Sequence, residues 1–204
     1  MTPEQLSQLR VRLVAYLRAR GDVRSERVAT AFERVPRHVF VPEVPAEDAY
    51  ADRSIAIKLE DGVPISSSSQ PAIMAEMLEM LAVREGDRVL EIGAGSGYNA
   101  ALIAELAGPS GEVRTLDIDS DLIAAARRHL DDAGYAHVRT ICADGAHGDP
   151  GGTPFDAVIA SVGVERIPPA WIAQLRIGGR LVAPLTIRSM QKVFAFERTA
   201  RGLE

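Results

Sequence analysis

The chain has 204 residues, 47% of them hydrophobic and 25% charged, which is typical of a globular protein with a sizeable core. Its formal charge of −5 predicts no general attraction to nucleic acid or to an anionic membrane. The single cysteine, Cys142, excludes an internal disulfide, and no apolar run is long enough to span a bilayer, so we expect a cytoplasmic protein. The four histidines lie at unrelated spacings, which predicts no metal site.

The first forty residues predict two helices. Thr2, Pro3 and Gln5 form a capping-box pattern, and leucines then recur every three or four residues, which predicts a helix over about 3–20. A second helix is predicted over about 25–35, because Pro36 ends the apolar pattern there. Residues 36–45 contain three prolines, too many for a regular element.

The stretch "SSSSQPAIMAEMLEML", residues 66–81, sets four serines against a helical pattern. A serine tract usually indicates a flexible linker. Pro71, however, is typical of a first helical turn, which leaves Ser69 or Gln70 as the N-cap. The free N–H groups and the dipole of a helix N-terminus favour anions, so we predict a site suited to a carboxylate here. A simple capping role for Ser69 is the alternative.

From Arg88 onward, apolar strands alternate with helices. Such βαβ units predict an α/β fold with a doubly wound, mostly parallel sheet, whose ligand lies at the carboxyl ends of the strands. The predicted strands are "RVLEIG", "EVRTLDI", "HVRTICAD", "FDAVIAS", "GRLVAPLTI" and "KVFAFER", and the predicted helices are "YNAALIAELA", "DLIAAARRHLDDAG" and "PAWIAQL".

A glycine loop, "LEIGAGSGYNAA", follows the first of these strands and opens a helix. Gly93, Gly95 and Gly97 allow a tight turn and a close approach of a ligand to the backbone. Taken alone, the loop is weak evidence for any one ligand. Residues 95–100, "GSGYNA", also satisfy the dinucleotide fingerprint, so a nicotinamide oxidoreductase is an alternative.

Three acidic residues favour a different cofactor, because each falls at the carboxyl end of a predicted strand. They are Glu91, Asp117 and Asp144. Asp117 lies about twenty residues beyond the loop, where a carboxylate can accept the ribose hydroxyls. S-adenosylmethionine fits this acidic edge of the predicted sheet better than a dinucleotide does, since it is cationic and has no pyrophosphate. Asp119 competes with Asp117 for the ribose, but it also has the position of a helix N-cap.

With these residues in hand, the chain resembles the protein-L-isoaspartate O-methyltransferases over about residues 35–197. The matching pieces are "VPRHVFVPE", "AYAD", "SQPAIMA", "VLEIGAGSGYNAALIA", "LDID", "ADG", "FDAVIAS" and "PPAWIAQLRIGGRLVAPL". The resemblance implies a Rossmann-like class I methyltransferase that uses S-adenosylmethionine to esterify the α-carboxyl of an isoaspartyl residue in a protein or peptide. We expect an N-terminal helical extension and lid over residues 1–65 and the methyltransferase domain over 66–204, with a domain truncated at its C-terminal end as the alternative to a complete one.

The resemblance also implies roles for particular residues. The family's active-site serine falls on Ser69. The residues that we assign to the cofactor are Ser67, Ser68, Glu91, Gly93, Ala94, Gly95, Asp117, Ile118, Asp144 and Gly145.

Three departures from the family pattern bear on the substrate. They are the four-serine tract, the "SVGVERIPP" loop, which we expect to bring Glu165 and Arg166 close to the mouth of the site, and "PLTIRSMQKVFAF", which lacks a glycine-bearing turn. They resemble a branch of the family that works on ribosomally made peptide natural products. The alternative function is therefore esterification of an aspartate side chain in a modified peptide. A cofactor- or peptide-binding module without turnover is a further alternative. The pattern predicts no oligomeric state.

Overall fold

The computed structural model describes all 204 residues, and its secondary structure follows the predicted order from Arg88 onward. The helices are α1 (Pro3–Arg20), α2 (Glu26–Arg34), α3 (Ala46–Ala49), α4 (Pro71–Leu81), α5 (Tyr98–Ala107), α6 (Ser120–Asp132) and α7 (Pro169–Gln174). The strands are β1 (Ile55–Glu60), β2 (Val63–Ser68), β3 (Arg88–Ile92), β4 (Glu112–Asp117), β5 (Arg139–Cys142), β6 (Phe155–Ala160), β7 (Leu175–Ile187), β8 (Met190–Thr199) and β9 (Gly202–Leu203). No helix combines the length and the apolarity needed to cross a lipid bilayer.

The main sheet has seven strands in the order β5-β4-β3-β6-β7-β8-β9. The five strands from β5 to β7 are parallel, and β8 and β9 are antiparallel to their neighbours. Val89 and Leu90, adjacent on β3, belong to two different apolar clusters, so the sheet is buried on both faces. The predicted doubly wound sheet is confirmed. The order reverses beside β3, which places a crevice at the carboxyl ends of β3, β4 and β6.

The two N-terminal helices pack on α4 and α5. Thr2 and Gln5 make both hydrogen bonds of the predicted capping box, and α1 ends at Gly21 in the left-handed conformation. Leu13 and Val28 are buried in the same cluster as residues of α4 and α5. The expected division between residues 65 and 66 falls inside β2, so the packing shows no separation at that point.

The hairpin of β1 and β2 is the largest element that we did not predict; the short α3 and β9 were not predicted either. Asp61 and Gly62 turn the hairpin with φ of 49° and 79°, as in a two-residue hairpin turn. The "DG" pair was an available signal, but Pro64 and the serines obscure the strand that follows it. Lys58 of β1 forms ion pairs with Asp119 and Asp121 at the start of α6, which tether the hairpin to the sheet domain.

The last strands form a long hairpin. The predicted pair is confirmed, although β7 begins four residues earlier than the predicted start at Gly179. Arg188 and Ser189 turn it with φ of 49° and 67°, so two non-glycine residues adopt the left-handed conformation where the family pattern has a glycine.

Candidate functional site

A cavity, which we call the main cavity because the predicted site residues line it, opens at the carboxyl ends of β3, β4 and β6. Its volume is about 380 Å³. Eight of the residues assigned to the site line it: Ser67, Ser68, Ser69, Glu91, Gly93, Ala94, Gly95 and Asp117. The hairpin of β1 and β2 therefore forms one wall, and the sheet forms the other.

The glycine loop forms the floor of the cavity, and its glycines are required there. Gly93 and Gly95 have φ of 95° and 51°. A Cβ on Gly93 would lie 2.6 Å from Cγ1 of Val162, so no larger residue fits without a shift. The backbone N–H groups of Gly93 and Ala94 donate to the carbonyl of Leu116 at 2.7 and 2.9 Å, which ties the loop to the end of β4.

Glu91, in β3, is a fully buried carboxyl that is surrounded by hydrogen-bond donors. It accepts hydrogen bonds from Asn99 Nδ2 (2.7 Å), Thr115 Oγ1 (2.7 Å) and Ser161 Oγ (2.9 Å). Burial raises the pKa of Glu91 to about 7, although these three donors oppose the shift and Asp117 adds to it. Glu91 therefore joins α5, β4 and the end of β6 into one network below the cavity.

Asp117 and Asp119, the two competing acids, have different surroundings. Asp117 lines the cavity and accepts from the backbone N–H groups of Gly95 and Asp119, both at 3.1 Å. Asp119 is the N-cap of α6, accepting from the N–H groups of Asp121 and Leu122, and it pairs with Lys58. Asp119 is thus occupied by structural contacts, whereas Asp117 faces the cavity.

Three predicted cofactor residues do not line the cavity: Ile118, Asp144 and Gly145. The backbone places them near it, because the N–H of Ala143 donates to the carbonyl of Asp117 at 3.0 Å. Ile118 is 74% exposed, and Asp144 is exposed with its carboxylate capping a short 3₁₀ turn at Ala146. Gly145 packs so closely against Ile92 that a side chain would clash.

The serine tract is neither a linker nor a helix cap. Ser66, Ser67 and Ser68 belong to β2, and Gln70 is the N-cap of α4 without a side-chain hydrogen bond. The hydroxyl of Ser69 is therefore not used as a cap, and Ser69 is one of the residues that line the cavity.

The predicted anion site at the start of α4 needs a correction. The carboxylate of Asp52 already occupies it, accepting from the N–H of Ala72 at 2.9 Å and from Nε2 of Gln70 at 3.0 Å. A carboxylate there satisfies the free N–H group and the dipole of the helix. Asp52 belongs to the "AYAD" piece, whose role we did not predict.

Five buried polar atoms have no hydrogen-bond partner in the protein, and all belong to residues in or beside this cavity. They are Arg37 Nε and Nη1, Ser68 Oγ, Tyr98 Oη and Asn99 Oδ1. Buried polar groups are nearly always satisfied, so ordered water or a polar ligand is expected to complete the hydrogen bonding of these atoms.

Comparison with known proteins agrees with this geometry. The family model described as "Protein-L-isoaspartate(D-aspartate) O-methyltransferase (PCMT)" matches residues 8–203. This chain belongs to that family. The resemblance inferred from the sequence is thereby confirmed.

Individual members of the family give the same result. The protein-L-isoaspartate O-methyltransferase of Methanopyrus kandleri is 41% identical over 194 residues, which cover 95% of this chain and 84% of that protein. That of Koribacter versatilis is 38% identical over 188 residues, covering 92% and 81%. A solved protein-L-isoaspartate O-methyltransferase superposes with a TM-score of 0.86 at 34% identity, covering 95% of this chain and 61% of that one. The fold is that of the class I methyltransferases.

A second cavity of about 200 Å³ adjoins the first in this family member. The two cavities share Ser69, Met74, Asn99, Ser161 and Gly163 as lining residues. The second cavity continues to Gln191 and Lys192 of β8, which our sequence analysis did not assign to the site. Glu165 and Arg166, expected near the mouth, line neither cavity. Ser69 is thus the serine of the tract that faces both cavities.

Proposed function

We propose that this chain transfers a methyl group from S-adenosylmethionine to the α-carboxyl of an isoaspartyl residue in a protein or peptide. Membership of the family over residues 8–203 carries the proposal. The position of Ser69 between two adjoining cavities supports the proposal, because a methyl transfer needs the methyl donor and the acceptor carboxylate to be bound next to each other. The structure of a putative Plasmodium falciparum relative, with a TM-score of 0.80 and 19% identity, was solved in complex with S-adenosyl-L-homocysteine.

The larger cavity fits the cofactor in charge and in hydrogen bonding. Asp117 gives it an acidic group, which favours a cation, and Asn99 Oδ1 is a buried acceptor without a protein partner. We assign the ribose hydroxyls to Asp117 and the adenine to the adjacent Ile118, Asp144 and Gly145. We place the remaining cofactor contacts on Ser67, Ser68, Glu91 and the Gly93, Ala94 and Gly95 backbone. When bound, S-adenosylmethionine supplies a methyl group on a sulfonium cation.

The protein itself needs little acid–base chemistry for this reaction. A carboxylate is already ionised at neutral pH and is the nucleophile without help from a base. Ser69 has a hydroxyl free of helix capping, and in our proposal it donates a hydrogen bond that orients the carboxylate. Holding both reactants in line is worth on the order of 7–11 kcal/mol.

The product of this step is a methyl ester. The backbone amide nitrogen of the next residue then attacks the ester carbonyl, and methanol leaves as the succinimide forms. The protein is not required for that closure.

Ser69→Ala tests the proposal. We expect methylation of an isoaspartyl peptide, followed by mass spectrometry, to fall roughly 10²-fold, since one oriented donor is lost. Affinity for S-adenosylhomocysteine should change less than about threefold. Ser66→Ala in the same tract is the matched control. Unchanged turnover in Ser69→Ala would remove Ser69 from the site.

The same assay distinguishes the alternative functions. We expect methylation of the isoaspartyl peptide and none of its aspartyl twin or of a cyclised aspartyl peptide. Methylation of the cyclised peptide alone would support the natural-product function. Binding of S-adenosylhomocysteine without methylation of any peptide would support a non-catalytic module.

Two further parts of the proposal concern the setting of the enzyme. The free cysteine Cys142 is compatible with the reducing cytoplasm, where we place the protein. The lid role expected of residues 1–65 stays a prediction.

A further inference from the structure

Arg37 is a buried charged residue that has no role in the methyl transfer described above. It is the first residue of the 3₁₀ turn Arg37–Phe40, and its side chain is fully buried. Only Nη2 donates hydrogen bonds, to the carbonyl oxygens of Ser69 (2.9 Å) and Arg53 (3.3 Å). Nε and Nη1 have no partner in the protein.

No carboxylate forms an ion pair with this guanidinium. Asp52 is the acidic group that acts on it, but both oxygens of Asp52 accept from Gln70 and Ala72, and no ion pair joins Asp52 to Arg37. Burial accordingly lowers the pKa of Arg37 below its usual range, with Tyr98 and Asp52 opposing the shift. A buried, unpaired charge is expensive for a protein, so its presence beside a cavity favours a function.

The guanidinium contacts two residues that line the main cavity, Ser69 and Tyr98. Its Cζ lies 5.5 Å from the centre of the Tyr98 ring, which lines the main cavity. Its Nη2 fixes the backbone of Ser69. Arg37 itself lines neither cavity, so it acts through these two neighbours.

We propose that Arg37 is a positioning residue for the acceptor: it fixes the Ser69 backbone, and its charge, which no ion pair engages, favours a carboxylate over a neutral group at Ser69. Electrostatic attraction is weakly screened in a buried environment, so a cation can favour an anion that it does not touch. The carboxylate in question is the α-carboxylate of the isoaspartyl residue, and to that extent the inference rests on the proposed function.

The test measures preference for charge, which a purely structural role would not change. Binding of an isoaspartyl peptide and of the same peptide with an α-carboxamide is measured by calorimetry, with S-adenosylhomocysteine present. We expect Arg37→Met to reduce the preference for the carboxylate about tenfold, because the variant keeps the side-chain stem but loses the charge. Arg37→Lys should keep the preference within about threefold and lower kcat about tenfold, since an ammonium cannot reproduce the planar fork.

Arg53→Met is the matched control. It removes an equal charge from the same segment, but the Arg53 side chain is 57% exposed and paired with Asp48, so the preference should stay as in the wild type. A wild-type preference in folded Arg37→Met overturns the inference. If Arg37→Met does not fold, unchanged kcat and preference in Arg37→Lys overturn it. Failure of the wild-type enzyme to methylate the isoaspartyl peptide would instead overturn the proposed function.

Discussion

The two sides of the main cavity differ in how their buried polar groups are satisfied. On the sheet side, Glu91 accepts three side-chain hydrogen bonds and Asp117 accepts two backbone ones. On the serine side, defined by Arg37, Ser68, Ser69 and Tyr98, four buried polar atoms have no partner in the protein, whereas the sheet side has one such atom, Asn99 Oδ1.

This difference separates two tasks. A network in which nearly every group has a partner is rigid and holds its shape without a ligand. Unsatisfied groups destabilise the free protein and leave hydrogen bonds to be made by ordered water or by a ligand. We infer that the sheet side is organised by folding and that the serine side is completed by other molecules, water or reactants.

The largest expected effect is the loss of the Glu91 network. Glu91→Leu leaves the hydroxyls of Thr115 and Ser161 without their acceptor, whereas Asn99 Nδ2 keeps Ser161 Oγ at 3.3 Å. Each buried donor left unpaired costs about 1–3 kcal/mol, so we expect urea unfolding to show a loss of at least about 2 kcal/mol. Glu91→Gln, which keeps an acceptor oxygen, is the milder control. A loss below about 1 kcal/mol would mean that the network contributes little to the rigidity of the sheet side.

The pH dependence of stability tests the same carboxyl. Its pKa rises from 4.5 to about 7 in the folded protein, so folding favours the protonated form. This contribution is fully present below pH 4.5 and is lost as the pH rises through about 7. Between pH 4 and pH 8, the wild type should lose on the order of 3 kcal/mol relative to Glu91→Gln. If the free energy of unfolding depends on pH in the same way in the wild type and in Glu91→Gln, the pKa of Glu91 is not raised by folding.

Asp117→Asn tests whether the cavity-facing acid of the sheet side binds the cofactor. We expect calorimetry to show about 10–100-fold weaker binding of S-adenosylhomocysteine, because a carboxylate that accepts from ribose hydroxyls is neutralised. Asp119→Ala, the matched variant, should lower the melting temperature through the lost cap of α6 and change affinity less than about threefold. The reverse result would exchange the roles of the two acids.

The smallest expected changes in stability follow from removing one hydroxyl group on each side of the cavity. Thr115→Val removes a donor to Glu91 and should cost about 1–2 kcal/mol in urea unfolding. Tyr98→Phe removes a buried hydroxyl without a partner and should change stability by less than about 0.5 kcal/mol. Equal losses in the two variants would contradict the distinction between the sides.

The central elements were predictable because their signals are local. The strands from "RVLEIG" to "KVFAFER" are confirmed, since continuous apolar runs and glycine turns specify buried parallel strands. Glu91, Gly93, Ala94, Gly95 and Asp117 line the cavity as expected, because residues at the carboxyl ends of neighbouring parallel strands meet at one edge.

The serine side was less predictable because its contacts join distant segments. Asp52 lies 20 residues before Ala72, whose N–H it caps, and Arg37 lies 32 residues before Ser69, whose carbonyl it holds. Neither pair has a periodic pattern that would reveal it. Gln191 and Lys192 were not predicted for the same reason, since only the pairing of β8 with β7 brings them to the cavity that Ser69 also lines.

By itself, the sequence therefore determined the sheet, the family and the position of Ser69 along the chain, because apolar periodicity and short motifs act over a few residues. Only the tertiary structure decided that Ser66, Ser67 and Ser68 form a strand, that Asp52 caps α4, and that a buried Arg37 lies behind Ser69. The physical reason is that hydrogen-bond partners of a buried polar group are chosen by the packing around it and not by its neighbours in the chain.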